Sequence, residues 1–201
     1  ISTGDGIASF DGIEVNWLYQ ENGIYSAPTI HQNKIIVGKD DNLIVLNSVG
    51  IKQWETKLGP FWNVKPIEYA NRIYIGSLNH HIYAVDFNNG RIIWDYGTNG
   101  GITATALLHG GTVYLGSNDG YIYSLDAADG KLKWKSKTNG GIFATPGVST
   151  IGMENLVLVG STDSYVYGFS RNNGELIWGY STADEINEIL VVGNQIFVTA
   201  E

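Results

Sequence analysis

The stretch ITATALLHGGTVYLGSNDGYIYSLDAADGKLKWKSKTNGG, residues 102–141, contains four short apolar runs separated by turn residues. The runs TATALL, TVYLGS, YIYSLD and KLKWKS are rich in β-branched and aromatic residues and partly alternate with polar ones, which is typical of strands. Between them, HGG, NDG and AADG supply the glycine, asparagine and aspartate that tight hairpins require. The stretch therefore predicts four antiparallel strands joined by short turns.

The same pattern recurs along the chain with a period of about 40 residues. Five tryptophans mark it at intervals of 37, 40, 40 and 44 residues: Trp17, Trp54, Trp94, Trp134 and Trp178. Four glycines keep the same phase: Gly38, Gly76, Gly116 and Gly160. Such a unit cannot bury both faces of its sheet alone, so copies must stack, and a radial arrangement protects their edges. We predict an all-β protein, a β-propeller whose register tryptophans dock between neighbouring four-stranded antiparallel blades.

We predict that the 201-residue chain forms one domain, which the repeat divides into five blades. Four units are intact in sequence: residues 24–59, 60–101, 102–141 and 142–184. Residues 1–23 match only the third and fourth strands of a blade, whereas residues 185–201 match only the first two. We therefore predict a fifth, split blade that is closed by both termini, which leaves no sheet edge exposed.

Composition limits the possible functions. The chain has 12 Lys and Arg against 20 Asp and Glu, a net charge of -8, which argues against nucleic acid or an anionic membrane as partner. It has no cysteine, which excludes thiolate catalysis and disulfides, and no apolar run is long enough to cross a membrane as a helix. We expect a monomer or a part of a longer chain.

The innermost strand is where the repeats differ most, and a ligand site on a pseudo-symmetric frame need not repeat. Its first residues are IYSAP from Ile24, WNVKP from Trp62, ITATA from Ile102, IFATP from Ile142 and INEIL from Ile186. Alternate residues should point into the central channel, which predicts a ligand site at its mouth formed by Tyr25, Trp62, Asn63, Lys65, Thr103, Thr105, Phe143, Thr145 and Asn187. The alternative is that these side chains simply fill a narrow channel.

No catalytic or metal-binding motif stands out. The neighbours His80 and His81 should point to opposite faces of a strand and so cannot readily chelate one ion. Acidic residues at the second-to-third strand turns, such as Asp119 and Asp163, suit tight turns, and calcium binding there is the alternative. No nucleophile elbow, phosphate loop or zinc-protease motif occurs. We predict no metal, no cofactor and no catalytic residues.

The segments IYAVDFNNGRIIW and IYSLDAADGKLKW, each preceded by a Gly-Ser dipeptide, resemble the tryptophan-docking repeat of pyrroloquinoline-quinone-like propellers. The resemblance covers essentially the whole chain and implies docking roles for the register tryptophans. It also implies turn roles for Asp86, Asp126, Gly90, Gly130 and Gly174. Ser170 departs from the usual aspartate, and Asn89, Asp129 and Asn173 depart from the usual threonine, with turn chemistry retained.

This superfamily includes quinoprotein dehydrogenases and the periplasmic lipoprotein scaffold of outer-membrane protein assembly. The dehydrogenases have more blades, a cysteine pair beside the quinone and a calcium site, whereas this chain lacks cysteine. We therefore predict a non-catalytic binding or scaffold module for a protein, peptide or glycan, in a periplasmic, cell-surface or secreted location. The alternatives are a quinone-dependent dehydrogenase domain, a lectin-like protein with one weak sugar site per blade, and the sensor portion of a longer surface protein.

Overall fold

The structure is a computed structural model, and it describes residues 2–3, 6–10, 15–20, 23, 25–62, 64–149, 155–192 and 195–200. The regular secondary structure in these ranges is entirely β. They contain no helix, and hence none that could cross a membrane.

The strands follow one another at short intervals, as the density of turn residues predicts. They are β1 Ser2–Thr3, β2 Gly6–Phe10, β3 Val15–Gln20, β4 Thr29–His31, β5 Lys34–Lys39, β6 Asn42–Asn47, β7 Lys52–Lys57, β8 Ile67–Tyr69, β9 Arg72–Gly76, β10 His81–Asp86, β11 Ile92–Gly97, β12 Leu107–His109, β13 Thr112–Gly116, β14 Tyr121–Asp126, β15 Leu132–Lys137, β16 Gly147–Ser149, β17 Leu156–Gly160, β18 Tyr165–Ser170, β19 Leu176–Ser181, β20 Ile186–Val192 and β21 Gln195–Ala200.

Sixteen of these strands form four complete blades, each a four-stranded antiparallel sheet whose strands pair in chain order. We name them blade 1 (β4–β7), blade 2 (β8–β11), blade 3 (β12–β15) and blade 4 (β16–β19). The N-terminal sheet (β1–β3) and the C-terminal sheet (β20–β21) flank them in sequence. The predicted four-stranded antiparallel blades are thus confirmed.

The first strand of each blade is shorter than the sequence predicts. In blade 3 the run TATALL was expected to be a strand, but β12 begins only at Leu107. The reason lies at the blade boundary, where the N–H of Ile102 donates to the carbonyl of Ser77 in blade 2 rather than to its own sheet. The residues between Ile102 and β12 therefore lead from one blade into the next before sheet pairing starts.

The hydrophobic core lies between blades rather than within any one of them. One cluster of buried side chains joins Ala84 and Trp94 of blade 2 to Leu115 and Tyr123 of blade 3. Every residue of β13 is buried, because the two middle strands of a blade are covered on both faces by its neighbours. Each blade is therefore stabilised through the blades beside it.

The two terminal sheets have the strand phases that the sequence predicts. In the N-terminal sheet Ser9 pairs with Trp17, just as Ser124 pairs with Trp134 between the third and fourth strands of blade 3. By this register, β2 and β3 correspond to the third and fourth strands of a blade. Ile7 packs against blade 1, and Ile189 of β20 packs against blade 4. Within the described ranges the two sheets do not pair with each other, and β1 pairs with β2. This distribution of strands is consistent with a fifth blade closed by both termini.

Candidate functional site

The register tryptophans lie at the blade boundaries. Each indole Nε1–H donates to a backbone carbonyl in the turn between the third and fourth strands of the next blade. The pairs are Trp54 with Phe87 at 3.1 Å, Trp94 with Ala127 at 3.1 Å and Trp134 with Arg171 at 2.9 Å. Each ring also lies against a glycine of the same turn, Gly90, Gly130 or Gly174. These three indoles hold blades together and are not free to bind a ligand.

The other two register tryptophans differ in their surroundings. Trp178 is half-buried against the core between blade 4 and the C-terminal sheet. It lines an apolar cleft of about 390 Å³ together with Val166, Tyr180, Thr182, Ile196 and Val198. The side chain of Trp17 lies outside the described residues, although its backbone belongs to β3.

A second contact at each boundary explains the recurring Gly-Ser dipeptide. Ile102 lies so close to Gly76 that a Cβ on the glycine would come within 2.2 Å of its Cγ2 atom, and Ile142 has the same relation to Gly116. The serine after Gly116 then accepts a hydrogen bond at its carbonyl from the N–H of Ile142, at 3.1 Å. The glycine makes room for the isoleucine, and the serine carbonyl holds it in place.

These contacts fix the segments that run from the fourth strand of one blade to the first strand of the next. We call residues 58–66, 98–106 and 138–146 the entrance segments. Each is hydrogen-bonded to the second-to-third strand turn of the blade that follows it: Leu78 N–H donates to Pro60 O, Asn118 N–H to Gly101 O and Thr162 N–H to Gly141 O. The entrance segments therefore lie at the same end of the blades, which we call the entrance face.

Most of the predicted channel-mouth residues lie on the entrance segments. The N–H of Lys65 donates to Thr105 Oγ1 at 3.0 Å, which ties two neighbouring segments together. Thr103 Oγ1 donates to Asn118 Oδ1 at 3.1 Å, and Thr145 is half-buried. The threonines thus serve partly to order this face.

The remaining members of the predicted set are dispersed. Tyr25 bridges to Lys39 and packs on the cluster around Ile7, beside the N-terminal sheet. Asn187 is exposed at a bulge in β20, and Asn63 lies outside the described residues.

Two aromatic side chains in the described part of the entrance segments are exposed. Trp62 is 58% exposed and Phe143 is 47% exposed. Phe143 lies back over Gly141, where a Cβ would come within 2.7 Å of its ring, so the ring rests on backbone. Large aromatic side chains held in solvent are suited to contact a partner.

The exposure of Trp62 follows from a local insertion. The alignment of WNVKP with ITATA put Trp62 at the position of Ile102, but the structure places Phe61 there, buried against Gly38. Six positions separate Phe61 from the start of β8, compared with five between Ile102 and the start of β12. The extra residue leaves Trp62 outside the core. The spacing from the strand glycine gave no signal for Phe61, because it is 26 residues from Gly76 to Ile102 but 23 from Gly38 to Phe61.

The acidic turns of the entrance face have structural partners. Asp163 Oδ2 accepts hydrogen bonds from the hydroxyl of Tyr167 at 2.6 Å and from the N–H of Asn139 at 2.9 Å. Asp119 repeats this arrangement with Tyr123 and Asn99. Within the described ranges, no three His, Asp or Glu side chains are placed to hold a metal ion.

The histidines also have local partners. His81 Nδ1 lies 2.8 Å from Asp95 Oδ2, and its ring stacks on that of Tyr83. His80 has a φ of 74° in the preceding turn and is not part of that contact. His31 Nε2 lies 3.0 Å from Glu68 Oε2 across the boundary between blades 1 and 2. His80 and His81 thus belong to a turn and a strand end.

The buried turn tyrosines predict a specific alkaline behaviour. Burial and the hydrogen bond to Asp163 raise the pKa of Tyr167 to about 12, and the same causes raise the pKa of Tyr123. An unfolded tyrosine titrates near pH 10, so the stabilisation of the neutral phenol is complete below about pH 10 and is lost as the pH rises through the folded pKa. In an absorbance titration of tyrosinate, Tyr167→Phe should remove one equivalent from the latest phase.

A matched variant separates the two causes of the shift. Asp163→Asn removes the charge but keeps an acceptor, so the late phase should move to lower pH without losing an equivalent. A late phase that is unchanged in Tyr167→Phe would contradict the assignment.

Comparison with solved structures supports the propeller architecture. The computationally designed Ika8 protein superposes with a TM-score of 0.77 at 16% identity, covering 90% of this chain, which spans only 57% of the designed protein's length. BamB from Moraxella catarrhalis superposes with a TM-score of 0.59 at 17% identity, covering 92% of this chain and 83% of that one. These likenesses show the fold alone. No curated protein matches the chain.

A comparison of sequence families gives the assignment. The family described as outer membrane protein assembly factor BamB matches residues 48–200, which include the last turn and strand of blade 1 and all of blades 2–4. The match confirms the propeller repeat recognised in the sequence and extends through β21. The chain therefore belongs to the outer membrane protein assembly factor BamB family.

Proposed function

We propose that the chain is a non-catalytic scaffold module that binds a protein partner on its entrance face. Membership of a family named for an assembly factor supports a scaffold role. The residues to which we assign contact with the partner are Trp62, Lys65 and Phe143.

The observation that carries this proposal is the contrast between two sets of aromatic side chains. Trp94 and Trp134 recur with the repeat and are less than a tenth exposed. Trp62 and Phe143 break the repeat and are about half exposed. An aromatic residue that the frame does not need, held in solvent on a rigid segment, is typical of a binding contact.

The chemistry of this face fits a protein better than a highly charged ligand. Two exposed rings supply apolar area, and Lys65 supplies one cation that can pair with a carboxylate or cap a carbonyl. The threonine hydroxyls of the neighbouring entrance segments add polar groups at the rim. The family assignment also supports an extracytoplasmic location, which we include in the proposal.

Photo-crosslinking tests the assignment directly. A photoreactive phenylalanine at position 62 or 143, expressed in the source organism, should give an adduct with the same protein from both positions. Val49 is the matched control, because it is 59% exposed but lies in a third-to-fourth strand turn at the opposite end of the blades. Its adduct pattern should differ.

Affinity measurements with the captured protein complete the test. Trp62→Ala and Phe143→Ala should each weaken binding by about tenfold or more, as expected for central aromatic contacts, while Val49→Ala should change it less than about twofold. Equal effects of all three variants would overturn the assignment of the entrance face.

One-to-one binding of pyrroloquinoline quinone with calcium would overturn the non-catalytic role, and several equal weak sites for sugars would favour a lectin.

A further inference from the structure

The outer strand of blade 3 carries a row of lysines that no other described blade repeats. Lys133, Lys135 and Lys137 occupy alternate sequence positions along β15. Lys135 and Lys137 lie on one face of the strand, opposite Tyr123 and Tyr121, whereas Lys133 lies at a bulge in the pairing. With the adjacent Lys131 they make up four of the 12 basic residues in a chain whose net charge is -8. Basic charge is thus concentrated on one strand of an acidic protein.

The lysine row lies over a group of tyrosines at the boundary with blade 2. Lys135 Nζ is 4.9 Å from the ring centre of Tyr121, and Lys137 Nζ is 6.0 Å from the same ring. Tyr123 lies beside Tyr121 and contacts Tyr96 of blade 2, with ring centres 5.8 Å apart. These contacts hold the amines over aromatic faces and reduce the entropy that they would lose on binding an anion.

The amines of the row differ in how far they are already neutralised. Lys133 Nζ lies 3.2 Å from Asp126 Oδ2 and donates to Thr112 Oγ1. Within the described part of the chain, neither Lys135 nor Lys137 forms an ion pair. Two exposed cations on β15 are therefore available to an external carboxylate.

The corresponding positions of the other blades show that the frame does not need this row. Where Tyr123 pairs with Lys135 in blade 3, the equivalent residue is Asp95 in blade 2 and Gly179 in blade 4. Where Tyr121 pairs with Lys137, the equivalents are Gly97 and Ser181. Blade 1 has Glu55 and Lys57 at these two positions, so it repeats one lysine but not the pair.

Protection of an exposed edge is the ordinary explanation for lysines on an outer strand. It does not account for this distribution. The outer strands β11 and β19 expose Ile92, Ile93, Leu176 and Ile177, and neither contains a lysine. Among the outer strands of the four complete blades, lysines occur on β7 and β15 alone, so lysine is not a general means of protecting these edges.

We propose that the outer edge of β15 binds an extended acidic segment of a partner protein, which adds to blade 3 as a fifth strand. β15 is the last strand in its sheet, so one of its edges has no neighbouring strand among the described residues. An added strand would use these main-chain groups for affinity. Acidic residues at alternate positions of the partner, about 7 Å apart, would match the spacing of the lysine row.

This surface is separate from the entrance face, and its test does not depend on the proposed function. The probe is a fluorescently labelled peptide in which glutamate and threonine alternate. Two reference peptides are a block arrangement of the same composition and an alternating peptide N-methylated on every second residue. Binding is measured by fluorescence anisotropy at low and at physiological salt.

The expected result is binding of the alternating peptide that weakens with salt, with the block and N-methylated peptides at least about tenfold weaker. Lys135→Glu combined with Lys137→Glu should weaken the alternating peptide by about tenfold or more. Lys52→Glu combined with Lys57→Glu is the matched control on the outer strand of blade 1, and it should change affinity less than about twofold. Thermal unfolding of both double variants confirms that they fold.

Three outcomes would overturn the proposal. Equal affinity for alternating and block peptides, or no effect of N-methylation, would mean that the surface attracts acidic chains without strand pairing. An equal effect of the two double variants would mean that net charge alone controls binding. Absence of binding at low salt would exclude the site. Trp62→Ala should leave peptide affinity unchanged, because that side chain lies on the entrance face.

Discussion

Replacing Gly130 by alanine should lower the free energy of unfolding by about 3 kcal/mol, because the new methyl group meets two penalties at once. The residue has a φ of 73°, where an L side chain is strained. Its added Cβ would also lie 2.7 Å from the indole of Trp94, which cannot move without opening the boundary between blades 2 and 3. Urea unfolding followed by circular dichroism measures the change.

Gly110 supplies the control for the backbone component of this effect. Its φ is 57°, but a Cβ there would meet nothing within 4 Å. Gly110→Ala should therefore cost only about 1 kcal/mol. Equal destabilisation by the two variants would show that the contact with Trp94 contributes nothing and that the glycine serves the turn alone.

Replacing Trp94 by alanine should destabilise the chain by about 4 kcal/mol. The side chain is 8% exposed, packs between two blades and donates to the carbonyl of Ala127, so its removal creates a cavity and leaves a polar group without that donor. Thermal and urea unfolding should both show the loss.

Trp62 provides a control of the same residue type. Because its side chain is 58% exposed, Trp62→Ala should change the free energy of unfolding by no more than about 0.5 kcal/mol. The two tryptophans thus separate stability from binding: loss of Trp94 affects folding, and loss of Trp62 affects the proposed partner. Comparable destabilisation by both substitutions would contradict the distinction.

The blade architecture was accessible from the sequence because its determinants recur. A tryptophan, a turn glycine and a Gly-Ser dipeptide each appear at the same phase in several units, so chance similarity is a poor explanation. The length of the first strand was not accessible. It depends on a hydrogen bond between the N–H of Ile102 and the carbonyl of Ser77, two residues in different blades.

The candidate site was only partly accessible for a related reason. Alignment by residue type placed Trp62 in the repeat position, although Phe61 fills the space beside Gly38. Exposure is a property of the assembled boundary, and a one-residue insertion changes which aromatic is buried. The alternation of lysines in KLKWKSK is visible in the sequence, but the open edge of β15 and the approach of Tyr96 from blade 2 are not.

The repeated boundary has an evolutionary consequence. An indole over a turn glycine, an isoleucine over a strand glycine and a serine carbonyl that holds the isoleucine recur in units of about 40 residues. A gene duplication that copies one unit therefore copies both halves of its interfaces, and the new unit arrives already complementary to its neighbours. Its turns and outer strand are then free to diverge, so new recognition surfaces can arise one blade at a time without redesign of the core.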